Sequence, residues 1–316
     1  MGSLTANGIA HVGDVNPDKF PEAFEAIRKA QAETTFETCL DLFDAHRRTE
    51  VGLLTFNDGV DAVLGEDGLM PGKVTEIYGQ AGSGKTQLCL QLCANVQLPA
   101  VIGGLGGKVL FLDTEGGFTP QRMSQVAQKT FKNAQKIFSS SGTNYKQSLV
   151  RRLSEEAMMA GVFYKRVRSS SKLEEILSTE VEEFLRQHLD VRLVIVDSLA
   201  FPFRYDLVDE VTTSQASHAL QRVGQRLHCI AADYNLVVVV INHVTSRDGQ
   251  LVPALGDTWA HTPNVRIRLS LIPTALKTRK ITMIKTSGVL RYKDDGSSVD
   301  SAEFCVTSGG IRDAVA

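Results

Sequence analysis

Gly79-Gln80-Ala81-Gly82-Ser83-Gly84-Lys85-Thr86 fits the pattern G-x-x-x-x-G-K-[ST] of a phosphate-binding loop. Glycines there let the backbone wrap so that several N–H groups turn toward one phosphate chain, Lys85 adds a point charge, and the Thr86 hydroxyl suits a metal ion. The flanks agree with that reading. Residues 73–78 alternate as a strand entering the loop, and Leu88, Cys89, Leu92, Cys93 and Val96 recur at helical spacing after Gln87. The loop is therefore expected to cap a helix N-terminus, where the dipole favours anions, and to hold a nucleoside triphosphate with Mg²⁺.

Beyond the loop, short apolar runs alternate with helical stretches: Lys108–Asp113, 161–167, Val191–Asp197 and 236–242. Strands separated by helices predict an α/β fold with a mostly parallel central sheet covered on both faces. Runs at 265–272, 279–285 and 302–307 follow with only turns such as Asp294-Asp295-Gly296 between them, which predicts an antiparallel C-terminal extension. The ATPase-type core is expected over 51–316. Residues 1–50 read as a small helical N-terminal segment, with Pro17 and Pro21 ahead of a helix at 22–33. The Ser-, Gly- and Lys-rich stretch 133–152 reads as a loop or insertion.

With 316 residues and 43% hydrophobic content, the chain can bury a sizeable core. A formal charge of −2 supplies no overall cationic field, so nucleic-acid contact must come from local patches or from partners. Cys39, Cys89, Cys93, Cys229 and Cys305 show neither metal-ligand nor disulfide-framework spacing, which fits a reducing compartment. No apolar run is long enough to span a bilayer, so no membrane partner is expected.

Two acidic residues complete the chemistry. Leu193-Val194-Ile195-Val196-Asp197-Ser198 is an apolar strand ending in a carboxylate, and that far after a phosphate loop Asp197 is suited to the metal site. Val109-Leu110-Phe111-Leu112-Asp113-Thr114-Glu115 delivers a second carboxylate to the ligand crest of the sheet, where Glu115 could orient an attacking water. An N-cap or first-turn acid on the helix that follows is the other reading of Glu115.

The strings G-Q-A-G-S-G-K-T-Q, F-L-D-T-E-G-G-F, R-L-V-I-V-D-S and V-V-V-V-I-N-H, in that order, resemble the RecA/Rad strand-exchange recombinase family. The stretches 191–204 and 251–261 are most similar to its C-type eukaryotic paralogues. The resemblance implies an ATPase with Mg²⁺ that binds ATP through residues 79–87, Gln87 included. It implies Glu115 as the water-activating acid, with Lys85 beside it, and Asp197 as the metal-site acid. Arg122 would stack on adenine, unless it is a solvated helix residue. Lys285, in the family's ATP cap, would reach the γ-phosphate of a neighbouring protomer, or simply end a strand in solvent. Where the family has Asn-Gln, this chain has Asn242-His243. His243 is therefore the expected γ-phosphate sensor, or else a strand-end residue without a duty.

The family's two DNA loops fall at 203–214 and 243–258. Their cations, Arg204 and Arg247, are outnumbered by Asp206, Asp209, Glu210, Asp248 and Asp257, so a lone protomer is expected to bind single-stranded or branched DNA weakly. Lys165-Arg166-Val167-Arg168 with Lys172 reads instead as a strand end followed by an exposed helix. Phe36-Glu37-Thr38-Cys39 lies near the family's Phe-x-x-Ala interface pattern, although Phe20-Pro21-Glu22-Ala23 matches the letters better in a worse position. Residues 1–50 are shorter than the family's complete helical DNA-binding module, which implies a partial one. By resemblance the partners are other recombinase paralogues and the main strand-exchange recombinase, and the place is the nucleus. The reading is a DNA-repair ATPase that supports recombinase filaments, with a nucleotide-stabilised scaffold for partner paralogues as the alternative; a P-loop small-molecule kinase is disfavoured because nothing reads as an acceptor-binding lid.

Overall fold

The computed structural model describes residues 52–65, 67–140, 153–206, 210–247, 249–272, 277–286 and 299–314. Phe36, Cys39, the Phe20–Ala23 alternative, the helix expected at 22–33, the boundary at residue 50 and the turn at 294–296 lie outside the described residues.

In chain order the elements are α1 (Asp58–Leu64), β1 (Lys73–Gly79), α2 (Lys85–Asn95), β2 (Lys108–Asp113), α3 (Pro120–Ser140), α4 (Glu155–Ala160) and β3 (Val162–Arg166). Then come α5 (Ser170–Glu175), α6 (Val181–Gln187), β4 (Val191–Asp197), α7 (Ala200–Asp206), α8 (Glu210–Asp233) and β5 (Val237–Asn242). The chain continues through β6 (Val244–Arg247), β7 (Gln250–Pro253), α9 (Gly256–Ala260), β8 (Val265–Leu271), β9 (Thr278–Lys285), β10 (Ser301–Thr307) and β11 (Gly310–Asp313).

Nine strands form one sheet in the order β11-β10-β9-β8-β1-β5-β4-β2-β3. From β8 through β3 each neighbouring pair is parallel, and β9, β10 and β11 attach antiparallel. The expected extension therefore begins one strand later than its sequence suggests, because β8 joins β1 in parallel. Both sheet faces are covered. In β5, Val237, Val239 and Ile241 enter the core beneath α2 and α3, while Val238 and Val240 enter the core beneath α8. Burial on both faces explains why these strands read as continuous apolar runs, each side chain contributing roughly 1.5–3 kcal/mol by leaving water.

Three sequence expectations are corrected. Residues 133–140 continue α3, whose buried Met123, Val126, Ala127, Thr130 and Ala134 recur at helical spacing beneath a polar surface. The first expected DNA loop is largely helical: 203–206 belong to α7 and 210–214 to α8, and Phe203 is core. The second contains a hairpin, β6 paired with β7, followed by α9.

Candidate nucleotide site

The phosphate loop leaves β1 where β1 lies against β8. A Cβ on Gly79 would sit 2.1 Å from the Leu269 carbonyl oxygen, so only glycine permits that approach. Gly84, at φ +99°, turns the chain into α2 with no capping side chain, leaving the first backbone N–H groups of an eleven-residue helix uncovered by a cap. Lys85, 7% exposed, lies across the loop and donates to the Gly79 and Gln80 carbonyls at 2.8 and 2.9 Å. Burial lowers its pKa, against the opposing pull of Asp197 and Glu115.

Thr86 Oγ1 donates to Asp197 Oδ2 at 2.8 Å, joining the head of α2 to the end of β4. Burial pushes the Asp197 carboxyl up to about 6; Thr86 pulls it down, and Glu115 and Asp113 push it further up. Ser83 Oγ is buried without a hydrogen-bond partner. An uncovered helix N-terminus, an orphaned serine hydroxyl and a buried carboxyl held up to about 6 together fit a phosphate chain and Mg²⁺.

Glu115 lies beyond the C-terminal end of β2 and before α3, which has no acid in its first turn, so the helix-acid alternative is not what forms. Its position is set by a two-way tie between neighbouring strand ends. Thr114 Oγ1 donates to the Ser198 carbonyl at 2.7 Å and accepts the Ser198 N–H at 2.9 Å. Ser198 Oγ then donates to Glu115 Oε1, and His243 Nε2 meets the same oxygen at 2.5 Å. Burial raises the Glu115 pKa, but the bonds from His243 and Ser198 outweigh it and hold the carboxyl below its ordinary value. Asp113 braces the intervening turn, accepting from Gly116 N–H at 2.5 Å, Phe118 N–H at 3.1 Å, Tyr164 Oη at 3.2 Å and Arg166 at 2.7 Å.

The remaining expected site residues spread outward. Arg122 is bound within its own chain, donating to Gln87 Oε1 at 2.7 Å and to the Thr307 and Ser308 carbonyls at 2.5 Å each. Lys285 donates to the His261 carbonyl at 3.0 Å and approaches that of Ala260 at 3.5 Å, beside the end of α9. Arg204 is exposed on α7 and Arg247 ends the exposed strand β6. Three of the four cations in the basic run are paired: Lys165 and Lys172 both reach Glu180, Lys172 also pairs with Glu175 at 2.9 Å, and Arg166 serves Asp113, while Arg168 is exposed.

Sequence reasoning missed Ser198 as a partner of Glu115. It also missed Glu76, a fully buried carboxylate in β1 whose visible signal was a charge inside an otherwise apolar strand.

A family model described as Rad51 matches residues 46–144 and 146–314. The chain belongs to the Rad51 family. Members of the Rad51 family are ATP-binding recombinases with a RecA-like core, and the sheet and phosphate loop are those of such a core. Among relatives, the chain is 31% identical over 281 residues to a DNA repair protein RAD51 homolog 3 of Cricetulus griseus, covering 88% of this chain and 72% of that protein. It is 31% identical to the protein of the same name from Dictyostelium discoideum, covering 73% of this chain and 60% of that one. A human meiotic recombination protein DMC1/LIM15 homolog is 27% identical over 96% of this Rad51-family chain and 81% of its own length.

Proposed function

We propose that the chain is a slow, Mg²⁺-dependent ATPase, stimulated by DNA, that supports recombinase filament assembly in homologous-recombination repair in the nucleus. The observation that carries the reading is the Thr86–Asp197 bond at 2.8 Å beside Lys85, with Glu115 held ionised across the same crest. Thr86 and Asp197 would hold Mg²⁺, which when bound supplies charge against the phosphates. Lys85 exchanges its two carbonyl partners for phosphate oxygens, and the N–H groups at the head of α2 take the others. Glu115 orients the attacking water and accepts its proton. Ser198 fixes the carboxylate, and His243 reports the γ-phosphate to it. Arg122 stacks on adenine once released from its carbonyl partners. Lys285 reaches a neighbour's nucleotide, and Phe36 and Cys39 contribute to the contact between protomers. Other recombinase paralogues, the main strand-exchange recombinase and DNA are the partners in this reading.

One observation favours the second reading, a scaffold that holds ATP with little turnover. Glu115 Oε1 already accepts from both Ser198 and His243, which leaves only Oε2 to orient a water and take its proton. ATP hydrolysis with and without single-stranded DNA separates the two. A DNA-stimulated rate lost in Lys85→Ala and Glu115→Gln is expected from the ATPase, and binding without DNA-responsive turnover from the scaffold. Unchanged turnover and partner binding in His243→Gln would remove the sensor role.

A further inference from the structure

Glu76 has no exposed surface and sits on the sheet face that otherwise presents Val74, Val194, Val196, Val238 and Val240. A carboxylate placed there loses its water at large cost unless other donors replace it. Its donors come from three elements. Oε1 accepts from the Asn242 amide at 2.7 Å and from the Trp259 indole N–H at 2.9 Å, while Oε2 accepts from Arg266 Nε. Arg266 also lies over the Tyr78 ring, 5.4 Å from its centroid. The cluster is not fully satisfied, since Asn242 Oδ1 and Arg266 Nη2 are buried without partners. Well-packed apolar side chains in place of the whole Glu76–Arg266 pair and its neighbours would commonly serve the sheet as well, so stability alone does not account for a buried charge cluster here.

What the carboxylate holds is informative. Asn242 closes β5 immediately before His243, the residue bonded to Glu115. Trp259 lies in α9, just after the mostly exposed hairpin of β6 and β7. A single oxygen, Glu76 Oε1, thus fastens the chain on both sides of the segment 243–258.

We propose that Glu76 is a positioning residue: through Asn242 and Trp259 it pins both ends of this segment, and so sets where His243 stands against Glu115. This rests on the reading of Glu115 as the water-orienting acid and makes the hairpin its regulator. A nucleic acid or neighbouring protomer drawing on the hairpin changes the bond between His243 and Glu115, because the anchor at Glu76 converts movement of the segment into movement at Asn242.

The test is Trp259→Phe, which removes the N–H and keeps an aromatic ring, in the full chain. Native-state trypsin cleavage after Arg247 is expected to rise about tenfold, the local opening that one lost hydrogen bond to a charged group allows. With it, kcat should fall while KM for ATP stays unchanged, since the phosphate loop is untouched. Leu227→Ala, a truncation in the same core that spares the cluster, should lower stability without raising cleavage after Arg247 relative to other sites. Unchanged cleavage in Trp259→Phe, or an equal rise in both variants, overturns the clamp. A rise in cleavage with kcat unchanged overturns the coupling. If the wild-type chain binds Mg-ATP without turnover, the ATPase reading fails and not this one. The coupling is then read as protection of Arg247 by Mg-ATP, expected in the wild type and lost in Trp259→Phe; equal protection, or none in either, overturns it.

Discussion

Burial of Asp197 at the end of β4 moves its carboxyl from the ordinary 3.8 up to about 6, and the sign of that shift dictates how the nucleotide-free protein responds to pH. The native state binds the proton more tightly than the unfolded chain, so stability falls as pH rises from about 4 toward 6 and the full cost is present above 6. A shift of about two pKa units corresponds to roughly 3 kcal/mol at pH 7. Asp197→Asn should therefore raise the nucleotide-free unfolding free energy at pH 7 by an amount of that order, less any strain at the Thr86 bond, and should flatten its dependence between pH 4.5 and 7. The same variant should lose the extra thermal stabilisation that Mg²⁺ with ATP gives the wild type. Urea titrations at several pH values measure the first effect, and melting with and without Mg-ATP the second. A destabilised Asp197→Asn at pH 7 would contradict the assigned environment.

At the level of elements, the C-terminal strands prop the phosphate loop. The open side of Gly84 faces Phe304 and Val306 of β10, 3.5 Å from where a Cβ would stand. Arg279 of β9 donates to the Gly82 carbonyl at 2.9 Å, and Arg122 ties α3 to the turn between β10 and β11. Two substitutions separate support from contact. Phe304→Ala, in a fully buried site, should cost about 3–5 kcal/mol in denaturant unfolding. Arg279→Ala should cost under about 1 kcal/mol and still weaken nucleotide binding several-fold, because a surface bond contributes little to stability while restraining the loop. Equal effects of both on binding, once corrected for unfolded protein, would deny the loop its prop. The elements legible in the sequence were those with a local signal. Apolar runs buried on both faces marked β1, β2, β4 and β5, and the phosphate loop, Asp197 and Glu115 lie on or beside them. The four-residue strands β6 and β7 are mostly exposed and carry no period to read. Ser and Lys residues on the outer face of α3 hid the apolar stripe that carries the helix through residue 140. The Glu76 cluster was illegible for another reason, since its donors lie 166, 183 and 190 residues away and only the sheet order brings them together.

For the molecule as a whole, charge decides how it meets nucleic acid. The chain carries a formal −2, its densest basic run is spent on Glu175, Glu180 and Asp113 except for the exposed Arg168, and the expected DNA loops offer Arg204 and Arg247 among acids. No helix among the described residues is long and apolar enough to cross a membrane. Affinity for a single strand grows with the phosphates neutralised, and log K falls with log salt by about 0.7 for each. Two cations can therefore give a slope no steeper than about −1.5, and non-specific dissociation constants even for competent binders are about 10⁻⁴ to 10⁻⁶ M. The isolated chain should accordingly bind single-stranded DNA more weakly than about 10⁻⁶ M at physiological salt, with that shallow slope, and Arg247→Ala should lower the slope by about 0.7. Fluorescence anisotropy across a salt series measures all three quantities. A sub-micromolar constant with a slope near −4 would require about six phosphate contacts, more than these two loops supply, and the DNA surface would then have to be sought elsewhere in the chain. Weak binding of this kind would, on the proposed function, assign most of the counterion release on DNA to partner subunits and make assembly a precondition of DNA-dependent turnover.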